Sequence, residues 1–222
     1  MRKIILKFAV FFAFSLLAIL YIVRSPTPPI EGDGHEYILM SQSYIMHNTP
    51  RLIDEDIIAV LKYVGKNESH FVKPTTGTDL SPYRNGYYES LNHKLYSYHF
   101  SFYSLINTPS LYLTNILNYE PTKSFYITNS IFLIAALLFL FFFMDAALKI
   151  RLLTVALLVT PTMLGYLKWP SPESFTSSLM IIAFVLFNNK RYSLSAFFLA
   201  LASLQNQPVA FASLSFMRPV LL

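Results

Sequence analysis

Residues 31–40 read EGDGHEYILM and pack Glu31, Asp33, His35 and Glu36 into six positions beside an apolar segment. An aspartate there can act as a general base toward a hydroxyl acceptor. Its oxygens also suit a divalent cation such as Mg²⁺ or Mn²⁺. Glu36 follows Asp33 by three residues, on the same side of a helix, so two carboxylates can divide those tasks. The same four letters, DGHE, also fit a capping box, with Asp33 as N-cap and Glu36 at N3 ahead of the helical run YILMSQSYIM. Capping needs no chemistry, and the two roles do not exclude each other.

The elements around this stretch decide where the acids sit. Residues 4–23 form an apolar segment preceded by Arg2 and Lys3, with Lys7 near its start. It is longer than a signal-peptide core and is followed by no small-residue cleavage site, so it reads as an uncleaved span with its N-terminus in the cytoplasm. SPTPP at 25–29 ends it, because proline lacks the N–H and forces its predecessor out of the α region. A long outer loop follows over 25–123. Within it, 35–47 and 52–64 read as short helices, the second an amphipathic surface helix with Ile53, Ile57, Val60, Leu61 and Val64 at helical spacing. Residues 73–88 are turn-rich and read as irregular.

Further apolar runs at 124–148, 152–168, 174–188 and 192–209 read as spans packed as antiparallel neighbours. The segment 95–117 is apolar but interrupted by His99, Asn107, Pro109 and Asn115. If it stays outside, the basic turns KIR (149–151) and NNKR (188–191) face the cytoplasm, where Lys and Arg are enriched. It is therefore assigned as a juxtamembrane or re-entrant element. The expectation is an all-α polytopic membrane protein: a first transmembrane helix (1–24), the loop (25–123), and a four-helix bundle (124–222), about five spans in all.

Composition agrees and excludes other classes. Only 13% of the 222 residues are charged and 54% are hydrophobic, with a mean hydropathy of +0.45. Soluble domains carry about 25% charged residues. Cysteine is absent, so there is neither a disulfide framework nor a thiolate site. The formal charge of +5 is not gathered into a basic run, which argues against a nucleic-acid partner. His35, His47, His70, His93 and His99 make no zinc spacing. The spans hold few ionisable residues, unlike a coupled transporter.

Three more features stand out. Glu173, after Ser171 and Pro172, fits a helix start with Ser171 as N-cap and Pro172 at N1. Alternatively it faces Asp33 across an outer cavity and binds acceptor or metal. QNQP at 205–208 closes an apolar segment, at a helix end or facing protein. Asp145 precedes Lys149 by four residues, an i,i+4 pair. Asn67-Glu68-Ser69 is a glycosylation triplet on the loop.

An apolar span, a short strap and an acidic GDG-x-x-Y opening a helix resemble the C-type (GT-C) membrane glycosyltransferases, whose first outer loop begins with a catalytic acid. Two further stretches resemble that family: NHKLYSYHFSFYSLINTPSLYL (92–113), through Asn92, Lys94, Tyr96 and Pro109, with His99 where a glycine is usual, and WPSPESFTSSLMIIAFVLF (169–187). The resemblance covers the chain as a layout and about 30 residues as motifs. It places the catalytic acid on Asp33, with Glu36 and Tyr37 as neighbours. It implies an inverting hexosyl or pentosyl transfer from a polyprenyl-phosphate donor in the outer leaflet of a bacterial inner membrane. The leaving lipid phosphate needs a cation, for which Arg51, Arg84, Lys94, Lys168 and Arg218 are the candidates. No motif demands a cofactor, and Mg²⁺ or Mn²⁺ is the one candidate. The spans are fewer than the family's members carry, which implies a short or truncated bacterial member, with a partner chain as a source of further spans. The alternative from another class is a non-catalytic membrane subunit or scaffold, or an inactive fragment.

Overall fold

The computed structural model describes residues 16, 20, 21, 24–26, 30, 33–63, 84–159 and 161–211. The apolar segment 4–23, apart from isolated positions, lies outside the described residues. So do Glu31, the Asn67 triplet, His70, most of 73–88, and Arg218.

The described chain is mostly helical. The helix α1, Gly34–His47, is followed by α2, Asp54–Tyr63. Helix α1 ends at Asn48, whose left-handed backbone (φ 55°) turns its N–H onto the Tyr44 carbonyl at 3.1 Å. Residues 36–43 are buried without a break, so α1 is covered on every face and is not a surface helix. Helix α2 opens with Asp54, Glu55 and Asp56, the charge favoured at a helix N-terminus. Asp56 also accepts the Ile53 N–H at 3.0 Å. The buried Ile57 and Val60 of α2 join the core that contains Ile38, Leu39 and Met40 of α1. The apolar stripe expected to lie on a membrane is thus spent on protein.

A small two-stranded antiparallel hairpin is added to the all-α arrangement that the sequence predicts. Strand β1 is Tyr87–Glu89 and β2 is Leu95–Ser97, with Tyr87 opposite Ser97 and Glu89 opposite Leu95. His93 takes the left-handed position in the connecting turn. Leu52 adds an isolated bridge to Leu95, which ties the hairpin to the entry of α2.

Helix α3, Phe102–Ile116, runs through Pro109, which removes one backbone bond without ending the helix. It packs on α1 and on α4, Lys123–Phe143. The polar side chains of α3 meet only the first third of α4: Asn107 reaches Ser124 (2.9 Å) and Thr128 (2.8 Å), and Ser110 also meets Thr128.

Helix α4 has 21 residues and is the one described helix long and apolar enough to cross a membrane. The expected span 152–168 is broken in two, α5 at Leu148–Leu158 and α6 at Pro161–Leu167. Pro161 explains the break, since it cannot donate to the preceding turn and disfavours α geometry before it. Helices α7, Glu173–Asn188, and α8, Tyr192–Ser203, are apolar but shorter. At 1.5 Å per residue they reach roughly 24 and 18 Å, below the hydrocarbon thickness of about 30 Å. Asp145 lies in the turn after α4, and no ion pair to Lys149 forms there among the described residues.

The two ends of the bundle differ. At one end Asn189 donates to the Phe143 carbonyl at 2.5 Å and Arg151 to the Phe141 carbonyl at 3.0 Å, so both basic turns share that end. At the other end Asn129, near the start of α4, donates to the carbonyls of Tyr166 and Trp169, each at 3.1 Å. Gln205, just beyond α8, accepts the Tyr103 N–H at 2.8 Å there.

Candidate functional site

Asp33 occupies the N-cap position of α1, but its side chain makes no capping hydrogen bond. Its carbonyl accepts the Glu36 N–H at 3.0 Å, which starts the helix. Its carboxylate turns away instead, and Oδ2 meets His99 Nε2 at 2.9 Å. The other imidazole nitrogen, Nδ1, meets Glu36 Oε2 at 3.0 Å. The side chains capping would have used are thus joined through one histidine.

The three groups sit in different surroundings. The Asp33 side chain is 54% exposed, His99 33% and Glu36 only 4%. The hairpin produces this arrangement. Ser97, the last residue of β2, donates its hydroxyl to Glu36 Oε2. Ser97 Oγ in turn accepts the His99 backbone N–H at 2.9 Å, which fixes the chain just past the strand. Tyr87 of β1 donates its hydroxyl to the Glu36 carbonyl at 3.1 Å. The ring of Tyr37 lies 5.6 Å from that of His99.

Two glycines permit the approach. A Cβ on Gly34 would come within 2.6 Å of Pro170 and 2.8 Å of Ile30, so only glycine lets the start of α1 press against the turn before α7. Gly86 has φ +83°, and a Cβ there would fall 2.0 Å from Glu36 Oε1. Gly86→Ala combines left-handed strain with a collision against a buried carboxylate. It is expected to destabilise the protein by about 2 kcal/mol, read as a lowered unfolding midpoint in detergent.

Asp33 also lines a cleft of about 260 Å³ with Gly34, Tyr37, Tyr166, Trp169, Ser171, Pro172 and Glu173. Asp33 and Glu173, from the starts of two different helices, thus share one cavity. Helix α7 starts at Glu173 with Pro172 as its N-cap residue, one position later than the Ser-Pro-Glu spacing predicts. Ser171 makes no cap and donates its hydroxyl to Glu173 Oε2. Burial, then the negative charge of Asp33, Glu173 and Glu36, pushes the Tyr37 phenol well above its ordinary range. Tyr37 therefore keeps its proton, and Gln205 Nε2 donates to its oxygen at 3.4 Å.

The remaining sequence candidates fall elsewhere. Glu36 is beneath the cleft, sealed by Ser97, His99 and Gly86, and does not line it. Arg51 follows the far end of α1, a helix roughly 21 Å long by its rise, and its Nε is buried without a hydrogen-bond partner. Lys168 does not line the cleft, although Tyr166 and Trp169 on either side of it do. Arg84 pairs with Asp54 at 2.8 Å on the surface, and Lys94 is exposed in the hairpin turn.

Sequence reading missed His99, Trp169 and Tyr166. The signal for His99 was its place as the one imidazole in the aromatic stretch LYSYHFSFY. Asp33, Glu36 and His99 offer one ligand atom each, all within 4.8 Å of one another, a set able to hold a metal ion. One imidazole with two carboxylates suits Mn²⁺ better than Mg²⁺, which prefers oxygen ligands and retained water. No family model, curated protein or solved structure matches the chain.

Proposed function

We propose that this chain is a membrane glycosyltransferase of the C-type layout, transferring one sugar from a polyprenyl-phosphate donor to a hydroxyl acceptor on the outer face of the membrane. The observation that carries this reading is the pairing of Asp33 and Glu173 across a single cleft at the end of the bundle opposite the basic turns. With those turns in the cytoplasm, as the enrichment of Lys and Arg there favours, the cleft opens outside. The polytopic arrangement in a bacterial inner membrane, N-terminus inside, belongs to the same proposal. Large apolar side chains such as Phe143, Leu153, Leu157, Phe184 and Phe197 are exposed along the bundle, a surface suited to lipid. The hydrogen bonds of α3 to the first third of α4 suit a juxtamembrane element.

In the proposed reaction the acceptor oxygen attacks the anomeric carbon and the bond from that carbon to the phosphate oxygen breaks. Asp33 takes the hydroxyl proton, and the polyprenyl phosphate leaves with the electron pair, giving inversion. Glu173 and Tyr37 orient hydroxyls, and the aromatic walls Tyr166 and Trp169 pack against the ring. The cavity is below the usual range for larger ligands, which suits one sugar ring. Lys168 is the cation adjacent in sequence to the lining and the best placed for the lipid phosphate. A divalent cation would be held by Asp33, Glu36 and His99 in place of the hydrogen bonds that join them, and would supply Lewis-acid stabilisation of that phosphate.

The test is transfer by the reconstituted protein in liposomes carrying labelled polyprenyl-phosphate hexoses and pentoses. Sugar leaving the lipid is the expected result. No turnover of any donor by folded protein would contradict the reading. Glu173→Gln is expected to raise the acceptor KM about tenfold, the loss of one charge-assisted hydrogen bond, measured in the same assay.

One observation favours a second reading, a non-catalytic subunit. Helix α5 has no buried residue, so its surface calls for lipid or for a partner chain with further spans. Turnover restored only by co-expressed membrane proteins would select it.

A further inference from the structure

We propose that His99 is a positioning residue that locks the Asp33 carboxylate for reaction, and that Glu36 serves as its buried anchor and not as a substrate ligand. This inference rests on the role proposed for Asp33. Three contacts hold the imidazole, Glu36 on Nδ1, Asp33 on Nε2 and the Tyr37 ring on one side, while Ser97 holds the His99 backbone N–H.

A neutral imidazole carries a single N–H, yet here a carboxylate faces each nitrogen. Each nitrogen thus has its own carboxylate partner, Asp33 Oδ2 at 2.9 Å and Glu36 Oε2 at 3.0 Å. Oδ2 is thereby committed to His99, and Asp33 Oδ1 is the oxygen left for the cleft. Glu36 cannot play that part. Its Oε2 receives both the Ser97 hydroxyl and His99 Nδ1, and its Oε1 is packed against Gly86.

The arrangement has the logic of an orienting acid behind a histidine, with the exposed group facing substrate. Here the exposed group is itself a carboxylate. Without His99, Asp33 at the start of α1 regains its rotamers and its capping option toward the helix N–H groups. The reactive oxygen then spends most of its time away from the cleft.

Two measurements test this together. The first is kinetic. His99→Phe keeps a ring against Tyr37 but removes both bonds, and is expected to lower kcat about a hundredfold with KM within twofold, the cost of a misplaced catalytic group. His99→Gln returns one donor toward Asp33 and is expected to recover about tenfold of that loss. The second reads the imidazole itself by ¹⁵N resonances in lipid bilayers and needs no turnover. Asp33→Asn should shift the Nε2 signal of His99 and leave Nδ1, whereas Glu36→Gln should shift Nδ1 and leave Nε2.

Selective shifts support the positioning role even if no donor tested is turned over, which would count against the transferase reading alone. An Nε2 signal unmoved by Asp33→Asn, or His99→Phe turning over at the wild-type rate, would overturn it.

Discussion

Asp33→Asn is expected to lower sugar transfer by about 10²–10⁴-fold, the contribution of a general base, while the protein folds normally. The stability half of this expectation comes from what Asp33 does not do. Its side chain makes no helix cap and is half exposed, and among the described residues only His99 holds it. Asparagine preserves the size and leaves an oxygen to accept from His99 Nε2, so the change in unfolding free energy should stay within about 1 kcal/mol. A carboxylate acting merely as a cap or a surface charge would lose little activity on this change. A loss under about fivefold, with donor binding intact, would remove Asp33 as the base.

The largest structural effect is expected from Asn129→Leu. Asn129 is fully buried in α4 and joins three elements. Its Oδ1 accepts the Tyr103 hydroxyl of α3 at 2.6 Å, and its Nδ2 donates to the carbonyls of Tyr166 and Trp169. Those carbonyls belong to the turn that carries the cleft wall. Leucine has the same number of side-chain heavy atoms but strands the buried Tyr103 hydroxyl and leaves two part-buried carbonyls without their donor. At about 1 kcal/mol or more for each stranded group, the loss should total about 3 kcal/mol. For a chain of this size that lowers the unfolding midpoint by about 6–12 °C. Because the turn also carries Trp169 and leads to Glu173, transfer should fall as well. Thermal unfolding in detergent alongside the transfer assay checks both. Tyr103→Phe removes one of these bonds and should show a smaller share of each effect.

Helix boundaries were largely legible in the sequence where a single element carried its own signal. The runs 35–47 and 52–64 lie within two residues of α1 and α2 at either end, because their hydrophobic spacing and end residues act over one turn. The run 124–148 starts one residue after α4 does and overshoots its end by five. Asp33 and Glu173 were each marked by their place at a helix start.

What depended on contacts between distant segments was not legible. The hairpin has two three-residue strands, too short for an alternation to emerge from residues that mix tyrosine, glutamate and serine. Its function, to carry Ser97 and His99 onto Glu36, is a contact across about sixty positions. The capping-box pattern at 33–36 was present in sequence, but His99 outcompetes the helix N–H groups for both carboxylates. The stripe of α2 had the right period, yet periodicity does not say whether lipid or protein covers it. Arg51 could be read as an outer-face cation, but not as one carried to the far end of α1. The span at 152–168 was drawn through Pro161, whose local cost outweighed the continuity of the apolar run.

The proposed reaction requires the cleft and the basic turns to face opposite sides of a membrane. The chain has no cysteine, so Asp33→Cys and Lys190→Cys each introduce a lone thiol, at the cleft and at an exposed basic turn. Intact cells are treated with a membrane-impermeant maleimide, and a parallel sample is first permeabilised. This orientation predicts labelling at 33 in intact cells and labelling at 190 only after permeabilisation. Labelling at 33 that also requires permeabilisation, or equal labelling of both positions in intact cells, would contradict it.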